Sequence, residues 1–162
     1  MRYDRQMILP EIGEEGQRKL KQAKVLIVGV GGLGSPIALY LAGAGVGCIG
    51  LVDDDVVSIS NLQRQVLYSE KELGKPKAIC AAERLSALNS ETTSQPYPTR
   101  LTEENAQEII SQYDIVVDGC DNFPTRYLIN DICAKTGKVY VYGAICGFEG
   151  SEEHTSELQS LS

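Results

Sequence analysis

Short apolar runs alternate along this chain with longer amphipathic stretches. Val25–Val28, Ile49–Val52, Ile115–Asp118 and Val139–Tyr142 each read as a buried strand, and Thr93–Tyr97 reads as a weaker one. Between them lie helical patterns. Gly13–Ala23 is a short amphipathic helix, and a second helix takes in Ile37, Leu39 and Leu41 before AGAGVG breaks it near Gly43. Pro76–Leu88 has apolar residues at 79, 82, 85 and 88, with Pro76 suited to a first turn. Thr102–Gln112 offers Thr102 as N-cap and Glu103 and Glu104 in the positive first turn. Phe123–Lys135 precedes Gly137, which suits a helix end. Strands separated by helices predict parallel βαβ units. The expected fold is α/β: a Rossmann-like doubly wound sheet, mostly parallel, with helices on both faces and an N-terminal helix before it.

The first strand runs into Gly29-Val-Gly31-Gly32-Leu-Gly34, which fits G-x-G-x-x-G through Gly29, Gly31 and Gly34. Strand, glycine turn and helix together aim backbone N–H groups at a phosphate. Asp53 ends the second strand, where an acid can accept ribose hydroxyls. The bland reading is a tight turn whose glycines serve packing. The ordered set of strand, turn, helix and acid favours a nucleotide.

Size and composition narrow the classes. The chain has 162 residues, enough for one domain with a substantial core. A net charge of −7 argues against nonspecific nucleic-acid binding, which needs Lys and Arg. No apolar run approaches the roughly 18–20 residues of a membrane helix, and the charged N-terminus does not read as a signal peptide. A cytoplasmic location is expected. Five cysteines (48, 80, 120, 133 and 146) show no C-x-x-C spacing and read as small buried hydrophobes. Residues 151–162, SEEHTSELQSLS, have no apolar period and resemble the translation of a DNA-sequencing adapter. The domain is therefore expected to span residues 1–150, with 151–162 a non-native tail. That tail holds three glutamates and no Lys or Arg, so without it the charge of −7 becomes −4. It also holds His154, the only histidine. Residues 1–150 then exclude any mechanism with a histidine base or ligand.

In open parallel sheets, ligands sit beyond the carboxyl ends of the strands. Gly29–Gly34, Asp53–Asp55 and Asp118–Asn122 (DGCDN) all fall at such ends. Asn61–Gln65 (NLQRQ) and Gly74–Lys77 (GKPK) add amides, Arg64 and Lys77, which suit a grip on phosphates. Singly, Arg64 and Lys77 would read as solvated surface charges. Asp121 suits Mg²⁺, which takes one or two carboxylates with substrate phosphates, although it also fits an N-cap for the next helix. Asp118 reads as a structural acid, and Asp54 and Asp55 stay open. Arg2–Gln6 (RYDRQ) is either an exposed arm or one able to reach an anionic site.

RYDRQ, GVGGLG, LVDDD, SNLQRQ, GKPK and DGCDN, in this order over residues 1–150, resemble the ubiquitin-activating-enzyme-like family, above all its bacterial ThiF and MoeB members. The resemblance implies adenylation of the C-terminal glycine of a ubiquitin-like sulfur carrier protein by Mg-ATP, for thiamin thiazole or molybdopterin biosynthesis. LAGAGVG and the acidic run at 53–55 lean slightly to the thiamin type. It implies that Gly31, Gly32 and Gly34 admit ATP, that Asp53 binds ribose, and that Asn61, Arg64 and Lys77 hold phosphates. By the same resemblance Gly29 and Gln65 would join the nucleotide site. Asp121 would bind Mg²⁺, and Arg5 would enter the other subunit's site of a homodimer. The zinc-binding C-x-x-C pairs of such relatives would lie beyond Gly150, so no zinc is expected here. Two other readings remain: an NAD-dependent oxidoreductase, supported by the glycines and Asp53, and a truncated nucleotide-binding or dimerisation domain without turnover.

Overall fold

The computed structural model describes residues 1–146 and 149–155. Six strands form one sheet: β1 (Lys24–Val28), β2 (Cys48–Val52), β3 (Thr93–Tyr97), β4 (Ile115–Asp118), β5 (Val139–Cys146) and β6 (Glu149–Thr155). Their order is β3-β2-β1-β4-β5-β6. β1 to β5 pair in parallel, and β6 runs antiparallel to β5. The helices are α1 (Asp4–Met7), α2 (Gly13–Gln22), α3 (Gly34–Ala44), α4 (Lys77–Leu88), α5 (Ala106–Ile110) and α6 (Phe123–Thr136). Among the described residues no helix is long and apolar enough to cross a membrane.

The unbroken apolar runs follow from burial on both sides of the sheet. Successive side chains of β1 point to opposite faces. Val25 and Ile27 join Ile49, Leu51 and Val117 under α3 and α4, with Ala38, Ala42, Ala81 and Leu85. Leu26 and Val28 join Val52 and Val116 under α5 and α6, with Ala106, Ile110, Ile129 and Cys133. Gly50 lies where a Cβ would collide with the Tyr113 ring.

Four features differ from expectation. RYDRQ is an anchored turn of helix rather than a free arm. The Tyr3 hydroxyl donates to Glu91 at 2.6 Å and accepts from the Asn89 amide at 2.9 Å, and the Gln6 amide donates to Ala44 O at 2.7 Å. α5 starts at Ala106, because Thr102 enters a turn in which its own N–H donates to Asn105 Oδ1 at 2.8 Å. Asn105, not Thr102, stands at the helix start. Pro76 likewise precedes α4 rather than opening it. Residues 151–155, expected to belong to a polar tail, instead form most of β6 and pair with β5 through their backbone, and such pairing needs no apolar alternation. Residues 156–162 of the expected tail lie outside the described residues.

Candidate functional site

The strand order reverses between β1 and β4, and a crevice of about 650 Å³ opens at the carboxyl ends of the strands. Its wall contains Gly29, Gly31, Gly32, Asp53, Asn61, Arg64, Gln65, Lys77 and Asp121, so the segments picked from the sequence converge. Two expected residues are elsewhere. Gly34 lies off the wall, and a Cβ there would collide with the Gly29 carbonyl oxygen. Arg5 is exposed on α1, which is tied to Ala44 at the far end of α3 from the crevice. Within one chain it does not join this site.

The glycines divide their work. Gly29 has φ +89°, and a Cβ would sit 2.9 Å from Cys120 N, so it lets the first turn pack on the DGCDN loop. Gly31 and Gly32 instead face side chains: Cβ atoms there would lie 3.2 Å from Gln65 Nε2 and 3.6 Å from Arg64 Nε. The NLQRQ segment thus closes over the open part of the turn. α3 and α4 both begin without a side-chain cap, and backbone carbonyls take part of their first turns: Ser35 N donates to Gly31 O and Lys77 N to Asp55 O, each at 3.0 Å.

Lys77 is the first residue of α4 and is 5% exposed. Its Nζ lies 3.8 Å from the exposed carboxylate of Asp55. A buried ammonium with so loose a counter-charge suits an incoming anion. Arg64 is exposed, and its Nη1 donates to Ser60 O at 3.3 Å. Asn61 Oδ1 accepts from Ser58 Oγ at 2.8 Å, in a capping box on the 3₁₀ turn Ile59–Asn61. Gln65 is 4% exposed, and among the described residues its Oε1 has no hydrogen-bond partner.

Asp53 accepts from Val30 N at 2.9 Å and Asp55 N at 2.8 Å. Burial still raises its carboxyl above the usual range, against those bonds and Lys77. At the other side, Asn122 caps α6 by accepting from Thr125 N at 3.1 Å. This leaves Asp121 exposed on the wall without a hydrogen bond or ion pair among the described residues. One free carboxylate beside anion-binding groups fits the donor set of a phosphate-bound Mg²⁺.

Arg100, Arg126 and Cys120 also line the crevice and escaped sequence reasoning. Arg100 Nε lies 3.3 Å from Asp54, which gives that ambiguous acid a partner. Arg126 follows DGCDN by one helical turn, the spacing that was its only signal. Asp118 is indeed structural: 1% exposed, it accepts from Tyr140 Oη at 2.6 Å and Cys120 N at 2.9 Å. Cys80 and Cys133 are core residues, whereas Cys48 and Cys120 are only partly buried. Desolvation, with a hydrogen bond to Asp118, pushes the Cys120 thiol up to about 12, so it is a protonated thiol rather than a nucleophile.

A sulfur carrier protein adenylyltransferase of Thermus thermophilus is 56% identical over 92% of this chain and 55% of its own length. A probable molybdopterin-synthase adenylyltransferase of Porphyra purpurea is 51% identical over 92% of this chain and 39% of its own. The chain thus spans between about two fifths and just over half of these curated relatives. The crystal structure of E. coli MccB with ATP superposes with a TM-score of 0.80 at 32% identity, covering 89% of this chain and 44% of that one. The family model described as ThiF family matches residues 3–153, and the chain belongs to that family.

Proposed function

We propose that this chain forms the nucleotide-binding part of an adenylyltransferase that activates the C-terminal glycine of a ubiquitin-like sulfur carrier protein. The observation that carries this reading is buried Lys77, loosely paired, on one wall with the open glycine turn, Arg64 and Asp121, which is unpaired among the described residues. The names of the Thermus and Porphyra relatives support the substrate class, and the ATP-containing MccB structure supports the nucleotide.

The chemistry needs no histidine. A terminal carboxylate is ionised at neutral pH, with an ordinary pKa near about 4. One of its oxygens attacks the α-phosphorus of ATP, the bond to the bridging oxygen breaks, and pyrophosphate leaves. The protein's task is to bring two anions into line and neutralise them. Gly31 and Gly32, without side chains on the crevice wall, let phosphate oxygens approach the backbone of the turn. Lys77, Arg64 and the Asn61 amide add donors. Asp53 accepts from the ribose, and the unpartnered Gln65 Oε1 accepts a ligand donor. Bound Mg²⁺ supplies further neutralisation of the phosphates, with Asp121 as the residue that holds it. Arg5, displayed on anchored α1, serves the site of a second copy in a homodimer.

Carrier-dependent ATP–pyrophosphate exchange tests this. Exchange that disappears with Arg64→Ala and Asp121→Ala is the expected result. Exchange equal to wild type in both variants overturns the assigned roles, and binding of NAD but not Mg-ATP overturns the reading.

A further inference from the structure

Between Asp118 and Asn122 the crevice loop is held by a clamp with no part in the scheme above. Arg126 lies one turn into α6, with its side chain 15% exposed. Its Nη2 donates to Cys120 O at 2.6 Å and to Gly143 O at 3.0 Å, and its Nε donates to Cys120 O at 3.3 Å. The guanidinium carbon stands 5.2 Å from the centroid of the Tyr142 ring. On the inner side, Arg126 Nε is 3.8 Å from Asp118 Oδ2, whose side chain is fully buried. The Cys120 peptide is therefore gripped at both ends: Asp118 takes its N–H and Arg126 takes its carbonyl. Asn122 is fixed separately as the cap of α6. Asp121 is the single residue between these two fixed points.

We propose that Arg126 is a positioning residue for the metal-holding carboxylate, because its guanidinium bridges the Cys120 and Gly143 carbonyls and so fixes the loop that carries Asp121. This rests on the assignment of Asp121 to Mg²⁺ made above. A planar fork can bond two carbonyls from separate segments while lying over an aromatic face, and an ammonium cannot reproduce that. Arg126 also lines the crevice, but Nε and Nη2 are already committed to carbonyl oxygens. A direct contact from Nη1 to the nucleotide would show as affinity lost in EDTA, whereas an effect through Asp121 shows only with Mg²⁺.

The test is calorimetric binding of the α,β-methylene analogue of ATP to the full chain, at rising Mg²⁺ and in EDTA. Arg126→Lys should raise the half-saturating Mg²⁺ concentration by roughly ten- to a hundredfold, as loss of a supporting residue does at other metal sites. Metal-free affinity for the analogue should stay at the wild-type level. Asp121→Asn should abolish the Mg²⁺ dependence. Three results overturn the proposal: Arg126→Lys behaving as wild type, an equal loss of affinity in EDTA, or no Mg²⁺ shift in Arg126→Gln. Should both Arg126 variants unfold, Tyr140→Phe removes the hydroxyl that holds Asp118 from the far side. A smaller Mg²⁺ shift there supports the clamp, and none overturns it. A wild-type chain that binds no analogue with or without Mg²⁺ overturns the nucleotide reading, whereas failure confined to the Arg126 and Tyr140 variants leaves that reading standing.

Discussion

The two ends of the sheet solve opposite problems. At the amino ends of the strands, polar groups satisfy one another: fully buried Asn89 donates to Ala42 O at 2.8 Å and to Tyr3 Oη, whose own proton goes to Glu91. At the carboxyl ends, Arg126 is clamped but two other cations keep long, exchangeable contacts, at 3.8 Å for Lys77 with Asp55 and 3.3 Å for Arg100 with Asp54. Both acids are substantially exposed, so these pairs add little stability. One end is built for folding and the other holds charge ready for a ligand.

Substitutions that separate stability from turnover sharpen this contrast. The largest effect is expected from Lys77→Ala and Arg64→Ala. Each should lower carrier-dependent exchange by about a hundredfold or more, as removing a preorganised charge-stabilising donor does. Arg64→Ala should leave the thermal midpoint unchanged, since Arg64 is exposed. Next is Gly34→Ala, whose Cβ would meet the Gly29 carbonyl. It should cost about 1–3 kcal/mol or more in urea unfolding, and a variant as stable as wild type would refute the packing role. Asn89→Ala strands buried partners at the other end and should cost roughly 1–3 kcal/mol, with nucleotide affinity intact. Loss of affinity there would break the division between the two ends.

The smallest effect is a pH dependence. Burial raises the Asp53 carboxyl in the folded chain, so folding favours its protonated form. Its contribution to stability is fully present below the unfolded value of 3.8 and is lost as pH rises through the higher folded value. The stability of wild type minus that of Asp53→Asn should therefore fall across that acid window. A difference that rises there would contradict the burial argument.

How far the sequence disclosed this molecule depended on where its signals were local. Strands buried on both faces wrote themselves as apolar runs, so β1, β2 and β4 were legible within a residue. The glycine turn and DGCDN were legible because each combines a turn with charge. Arg126 was not, because its partners Cys120 and Gly143 come together only once β4 and β5 pair. Anchoring of Tyr3 was hidden likewise: Asn89 and Glu91 are 86 and 88 residues away. The separate duties of Gly29, Gly31 and Gly34 also needed coordinates, since one spacing serves both ligand access and packing.

Strand β3 closes one side of the sheet and holds Pro96 opposite Leu51. Thr93 N donates to Gly47 O and Tyr97 O accepts from Asp53 N, so alternate residues from Thr93 to Tyr97 face β2. By that alternation the nitrogen of Pro96 faces outward, where it has no proton to give. A foreign strand laid along this margin would miss a rung at its centre, which discourages runaway fibrous growth from this side during folding.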